Sequence, residues 1–197
     1  MLRILFVCTG NTCRSPLAEG LLRIRVHQEG LAAEVRSAGV SAVTGGPISR
    51  NSASLLREAG FKELIQSLTI QESEVKWADL ILTMTMGHKR AVIQRFPDAM
   101  EKIFTLKEYV EDDAHILQAI EEREQLITEL ELKQALSQTV TIEERSRIYK
   151  LEHVIPDYDI SDPYGGSLEV YRQTAEEISG SLDKLVKKIR LKKEGSE

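Results

Sequence analysis

The sequence predicts a single α/β domain, a four-stranded parallel sheet flanked by helices, with a helical hairpin inserted before its last helix. Three observations carry this prediction. Short apolar runs alternate with amphipathic stretches of helical period, the strand–loop–helix–strand order that gives parallel pairing through crossover helices. A chain of 197 residues has room for one well-buried domain with an elaboration, and too little for two ordinary domains. Residues 111–153 differ in character from the rest, with 16 charged residues out of 43 and neither Gly nor Pro.

Residues 3–7 form a short apolar run that ends at turn-capable residues, so they read as a buried strand feeding a loop. Ser15-Pro16 reads as a helix start, a serine N-cap with proline at the first helical position. Leu17, Leu21, Leu22 and Val26 then recur at helical spacing until Gly30. Residues 33–37 form a second strand stopped by Ala38-Gly39, and 49–59 a helix closed by Gly60. A third strand is expected over 78–84, a helix over 88–95 and a fourth strand over 102–106. Leu168, Tyr171, Ala175, Ile178, Leu182, Leu185 and Ile189 step by threes and fours along a terminal helix, and Lys184, Lys187, Lys188 and Arg190 complement the dipole of its last turns.

The 111–153 segment holds 11 acidic and five basic residues, a charge of −6 against −5 for the whole chain, so all of the net acidity sits there. Ile116, Ile120, Ile127 and Leu130 share a helical face, and Thr141-Ile142-Glu143-Glu144 matches a capping box that opens a second helix carrying Ile148 and Leu151. This hairpin is expected to lie outside the catalytic core, with protein docking as a candidate role.

Composition narrows the possibilities. With 42% hydrophobic and 29% charged residues the chain is of the soluble globular class. No apolar run approaches the roughly 18 residues of a membrane span, and residues 2–7 are too few for a signal-peptide core, so a cytoplasmic protein without membrane contact is expected. The net charge of −5 offers no electrostatic reason to bind nucleic acid. Cys8 and Cys13 are the only cysteines, too few for a cysteine-rich metal site, and neither a metal nor another cofactor is expected.

The informative residues are Cys8-Thr9-Gly10-Asn11-Thr12-Cys13-Arg14-Ser15, between the first strand and the first helix, where an open parallel sheet places its ligands. A loop wound at a helix N-terminus turns backbone N–H groups inward and adds the positive end of the dipole, which makes an anion nest of phosphate size. Gly10 would let the backbone approach closely. Cys8, at the start of the nest, sits in a field that favours its thiolate. Arg14 offers a planar fork of donors for two oxygens of a tetrahedral oxyanion. The spacing Cys-x5-Arg, followed by Ser, thus places a nucleophile beneath phosphorus, the guanidinium beside it, and Ser15 as a donor to the sulfur. A buried cysteine at a strand end is by default an inert small hydrophobe. The position of this one, after an apolar strand and before a proline-containing helix start, favours chemistry.

These residues carry a resemblance. Val7 to Pro16 is similar to the signature of the low-molecular-weight protein tyrosine phosphatase family, closest to its protein-arginine-phosphatase branch. Ser37-Ala38-Gly39-Val40, Lys107-Glu108-Tyr109 and Asp162-Pro163-Tyr164-Gly165-Gly166-Ser167 match as well, so the likeness covers 1–110 and 159–190. It implies a cysteinyl-phosphate intermediate on Cys8 and a general acid on the Asp-Pro loop, which maps onto Asp162. The chemistry demands such a group independently, because the leaving atom must be protonated and a water then activated. Asp157 and Asp159 are nearby, but neither precedes Pro-Tyr-Gly-Gly, and both read as solvated loop carboxylates. The resemblance further implies that Thr9, Gly10, Thr12, Cys13 and Tyr164 line the substrate site, and that Asn11 bonds within the loop and to Ser37. Leu64-Ile65-Gln66-Ser67 lacks the histidine often found there in the family.

Phosphorylated proteins are the expected partners. Thr12 stands where the tyrosine-directed relatives carry a branched aliphatic residue and the arginine-directed branch a threonine. Residues 41–50 contain no aromatic residue to sandwich a phenol ring against Tyr164. Phosphoarginine is therefore the first expectation and phosphotyrosine the second. Thiol-dependent arsenate reduction needs further cysteines, and none follows Cys13. A non-catalytic binding module would be expected to have lost Cys8, Arg14 or Asp162. The two cysteines in one short loop admit a reversible disulfide or simple packing of Cys13.

Overall fold

The structure, a computed structural model, describes residues 1–194. The chain forms two compact units, Met1–Val110 together with the chain from Tyr158 onward, and Glu111–Asp157. The elements run β1 (Leu2–Cys8), α1 (Arg14–Gln28), β2 (Ala33–Gly39), α2 (Arg50–Glu58), α3 (Glu72–Trp77), β3 (Leu80–Thr83), α4 (Met86–Arg95), a 3-10 turn (Pro97–Lys102), β4 (Ile103–Thr105), α5 (Leu106–Tyr109), α6 (Ala114–Ala135), α7 (Ile142–Val154) and α8 (Leu168–Glu194). Among the described residues no helix is long and apolar enough to cross a membrane.

The four strands form one parallel sheet, as the alternating pattern predicts, in the order β2-β1-β3-β4. β1 is central and buried on both sides, which is why its sequence is a continuous apolar run. Ile4, Phe6 and Cys8 face a core shared with Leu17 and Leu22 of α1 and Ile178, Leu182 and Leu185 of α8. Leu5 and Val7 face a second core with Val75 of α3, Val92 of α4, Ile81 and Ile103. Each such fully buried side chain contributes about 1.5–3 kcal/mol, so the strand is a stiff platform for the loop at its end. The chain leaves β1 toward β2 on one side and later returns to β3 on the other. The end of β1 is therefore the switch point of the sheet, where the crossovers diverge and leave a crevice.

Several boundaries differ from expectation. Helix α1 begins at Arg14, with Cys13 as a cap residue whose side chain makes no capping bond, so Ser15 is not the N-cap and Pro16 stands third in the helix. The ring costs nothing there, because first-turn N–H groups have no intrahelical partner, and the Ser15 hydroxyl is turned elsewhere. Two short helices escape the hydrophobic pattern because they are capped rather than amphipathic. In α5, Thr105 and Glu108 exchange side-chain bonds with each other's N–H, and Glu74 of α3 accepts from the N–H of Gln71. On α8 the buried face runs from Tyr171 through Ile178, Leu182 and Leu185, while Leu168 is exposed.

Within the second unit α6 and α7 pack on one another, tied by the ion pairs Lys133–Glu144 and Arg147–Glu122. The capping box at Thr141 and Glu144 forms in both directions. The fully buried positions of α6 are Ala119 and Leu126, Ile116, Ile120 and Leu130 of the expected face are half-buried, and Ile127, about 100° round the helix from Leu126, is exposed. Leu117, Leu132, Ile142 and Tyr149 are also exposed.

Candidate active site

The loop after β1 is held by its neighbours through its carbonyl groups. The N–H groups of Val40 and Ser41 donate to the carbonyls of Cys8 and Thr9 at 2.9 Å, Ser49 N–H to that of Thr12 at 2.8 Å, and Ser52 Oγ to that of Cys13 at 3.2 Å. The N–H groups of Gly10 through Ser15 donate to no main-chain acceptor among the described residues. Carbonyls tied outward and N–H groups left over are the composition of an anion nest.

The winding requires Asn11 to take a left-handed conformation, φ 52°, which costs an L-residue about 1–2 kcal/mol. Its side chain offsets this with three bonds. Asn11 Nδ2 donates to Ser15 Oγ at 2.9 Å and to Ser37 Oγ at 2.8 Å, while Oδ1 accepts from Leu68 N–H at 2.7 Å. At a net ~1 kcal/mol each, these outweigh the strain. Leu68 N–H is the support at the segment where the family's histidine is missing. The close backbone approach lies at Gly39 and not at Gly10. A Cβ on Gly39 would stand 2.5 Å from the Thr9 carbonyl oxygen and 2.8 Å from Asn11 N, whereas one on Gly10 would meet only Thr12 Oγ1 at 3.5 Å.

Cys8 lies at the base of this loop, 3% exposed, with Ser15 Oγ 2.9 Å from its sulfur. Arg14 is buried as well. Its Nη2 reaches Asp162 Oδ2 at 2.9 Å and its Nη1 the Ile160 carbonyl at 3.3 Å, while its Nε is buried without a partner. Asp162 is half exposed, and its other oxygen accepts from Tyr164 N–H at 3.1 Å. The structure therefore sets Ser15 against Cys8 and Asp162 against Arg14, 148 positions away, so that the adjacent residues Arg14 and Ser15 join the two pairs along the chain. Thr12 is half-buried with its hydroxyl 3.5 Å from Cys13 Sγ, and Tyr164 projects its ring into solvent.

Asp159 is not merely solvated, because its Oδ1 accepts from Met86 N–H at 2.6 Å at the start of α4. Lys107 donates to the Asp159 carbonyl at 2.8 Å and pairs with Glu177, and Ser161 Oγ donates to Glu177 at 2.6 Å. These bonds anchor the segment that carries Asp162, a role for Lys107 that its motif alone does not specify.

Sequence reasoning misses His88. Its Nε2 lies 2.8 Å from Thr9 Oγ1 and its Nδ1 2.8 Å from Thr85 Oγ1, the cap of α4. Burial, and after it the charge of Arg14, push His88 down to about 4, so the ring is neutral and braces the loop without adding charge. A lone histidine at a helix start gives no sequence signal of such a contact. Tyr171 reads in the sequence only as a core position, yet its hydroxyl lies 3.1 Å from Cys13 Sγ. Burial, and the contact with Cys13, push its phenol up. Among the described residues no three His, Cys, Asp or Glu side chains gather as a metal site. The arrangement is suited to a tetrahedral oxyanion held over a thiol, with a carboxyl group beside it.

Comparison with known proteins gives a consistent result. The family model described as low molecular weight phosphotyrosine protein phosphatase matches residues 3–122. A protein-arginine-phosphatase of Geobacillus stearothermophilus is 34% identical over 187 residues, 95% of this chain and 95% of its own length. The solved YwlE arginine phosphatase from Geobacillus stearothermophilus superposes with a TM-score of 0.73 at 32% identity, covering 100% of this chain and 98% of that one. A YwlE arginine phosphatase mutant with a phosphorylated active-site serine gives a TM-score of 0.71 at 31% identity, covering 96% of each chain.

Proposed function

Because the chain belongs to the low molecular weight phosphotyrosine protein phosphatase family, and is a hydrolase of phosphorylated proteins, we propose that it hydrolyses protein phosphoarginine through a phosphocysteine on Cys8. The observation that carries this reading is the buried Cys8 thiol under a loop whose N–H groups are unpaired, beside Arg14 with an unpartnered buried Nε. A buried donor without an acceptor costs about 1–3 kcal/mol, and a phosphoryl oxygen would remove that cost. The Cys8 sulfur attacks phosphorus, the S–P bond forms, and the P–N bond breaks as Asp162 delivers a proton to the leaving guanidine nitrogen. Asp162 then takes a proton from water, which attacks phosphorus and releases the sulfur. Thr9, Gly10, Asn11, Thr12 and Cys13 supply the loop around the phosphoryl group, and Ser15 donates to the sulfur in both steps.

Thr12 and the absence of an aromatic residue over 41–50 favour the thin, polar phosphoguanidinium, and the arginine-phosphatase relative points the same way. Phosphotyrosine is the second reading, favoured by the exposed Tyr164 ring beside Asp162. The reaction needs Cys8 reduced, which a cytoplasmic location would ensure. The 111–153 hairpin is an insertion within the phosphatase domain, dispensable for chemistry and suited by its exposed apolar residues and acidic surface to protein docking. The deciding experiment compares turnover on a phosphoarginine-containing and a phosphotyrosine-containing protein, with Cys8→Ser as control. Faster release from phosphoarginine is expected, and Cys8→Ser should be inert. The opposite order would select the tyrosine reading, and an active Cys8→Ser would overturn the mechanism.

A further inference from the structure

Glu19 on α1 is a buried carboxylate, 7% exposed, with no part in the phosphoryl transfer itself. Both of its oxygens receive donors, Oε1 from Arg23 Nη1 at 3.2 Å and Oε2 from Ser37 Oγ at 2.6 Å. An ionised carboxylate only accepts hydrogen bonds, so the single hydroxyl proton of Ser37 is committed to Glu19. Ser37 then meets Asn11 with its lone pairs, accepting from Nδ2 at 2.8 Å. The second Nδ2 hydrogen of Asn11 goes to Ser15 Oγ at 2.9 Å, and Leu68 N–H on Oδ1 opposes a flip of the amide. Ser15, already an acceptor, has its own proton free for the Cys8 sulfur at 2.9 Å, against a weaker 3.4 Å alternative at the Ala38 carbonyl.

We infer that Glu19 is a positioning residue that fixes the direction of this hydrogen-bond chain, so that Ser15 donates to the Cys8 sulfur. The inference rests on Cys8 as the nucleophile. No proton is transferred along the chain; its polarity alone does the work. Were Ser37 to turn its proton toward Asn11, the amide would have to present its oxygen there. Its N–H groups would then face Leu68 N–H, and Ser15 would lose the donor that leaves its proton to the sulfur. Burial, with a smaller push from Glu63, holds the Glu19 carboxyl above its ordinary value, and the bonds from Ser37 and Arg23 limit that rise. Glu63 faces it from beyond Arg23 and is held by that arginine's second nitrogen, so Arg23 is shared between the two carboxylates.

The test is Glu19→Gln, which keeps size and packing but replaces one acceptor oxygen by a donor. With Arg23 still claiming the remaining oxygen, the new amide nitrogen faces Ser37 and reverses that link. A donor to the sulfur matters for attack and for departure from phosphorus but not for holding the phosphoryl group. The expected result is kcat lower by about tenfold, the ratio of a charge-assisted bond to a misdirected one, with KM unchanged. The pH profile for alkylation of Cys8 by iodoacetamide should move to higher pH, a readout that mere loss of packing would not shift. Ser37→Ala should give a similar loss, and the double variant should be no slower than Ser37→Ala alone. Wild-type kcat in Glu19→Gln, or losses that add in the double variant, would overturn the inference. If Glu19→Gln unfolds, Ser37→Ala decides it, since an unshifted alkylation profile there removes the relay. An inert Cys8→Ser beside an unaffected Glu19→Gln would leave the nucleophile standing and sink only the relay.

Discussion

Gly39→Ala tests the geometry of the loop without touching any group that reacts. Gly39 ends β2 opposite Cys8 in the parallel register and packs its Cα side against the loop backbone. The new Cβ would stand 2.5 Å from the Thr9 carbonyl oxygen, 2.8 Å from Asn11 N and 2.9 Å from Ala42 Cβ, where an ordinary contact begins near 3.4 Å. The two nearest atoms are backbone, so no side-chain rotation relieves the clash, and the loop must retreat by about 1 Å. Overpacking of this kind costs typically ~1–3 kcal/mol, or roughly 2–12 °C in Tm for a chain of this size. A displacement near 1 Å at a catalytic group costs on the order of 100-fold in rate. The assay is kcat/KM on p-nitrophenyl phosphate together with thermal unfolding. Gly180→Ala on α8 serves as the control: its Cβ meets nothing within 4 Å, so Tm should rise by a few degrees, corresponding to about 1 kcal/mol of helix propensity, with the rate unchanged. If Gly39→Ala keeps wild-type rate and Tm, the close approach does not set the loop and the reasoning fails.

Thr12→Ile should lose activity on phosphoarginine and gain it on phosphotyrosine by roughly ten- to two-hundredfold in kcat/KM; equal losses on both would mean that Thr12 only supports the loop. His88 carries a pH signature. Its folded value near 4 lies below its ordinary 6.5, so its contribution is whole above pH 6.5 and is lost as pH falls toward 4, by about 3 kcal/mol at most. Urea midpoints at pH 7 and pH 4.5 should therefore converge in His88→Gln, and an identical pH dependence in both proteins would count against it. Mild peroxide should give a reversible Cys8–Cys13 disulfide by mass spectrometry, at the expense of the Cys13–Tyr171 contact; only sulfinic or sulfonic acid at Cys8 would speak for packing. A chain in which a short flexible linker replaces 111–157 should keep its rate on p-nitrophenyl phosphate, and loss of the fold would show that the hairpin belongs to the core.

The four parallel strands, the helices that flank them and the loop from Cys8 to Ser15 were legible in the sequence, because local pattern governs them, whereas the strand order β2-β1-β3-β4 came only from the fold. A strand buried on both faces must be an apolar run, and a loop that binds an anion must carry its donors within a few residues. The Asp-Pro segment was legible only through its own motif, since nothing local says that Asp162 meets Arg14. Tertiary structure alone decided the contacts that hold the loop: Leu68 N–H on Asn11, His88 under Thr9, Glu19 behind Ser37, and the backbone of Gly39 against Thr9. Each joins groups from different elements through a single bond or a single missing Cβ, and neither hydrophobic period nor capping pattern encodes such a pairing. The same reason explains the misplaced helix start. Ser15 looks like a cap from its neighbours in sequence, but in the fold its hydroxyl stands between Asn11 and the Cys8 sulfur, and the helix begins one residue before it.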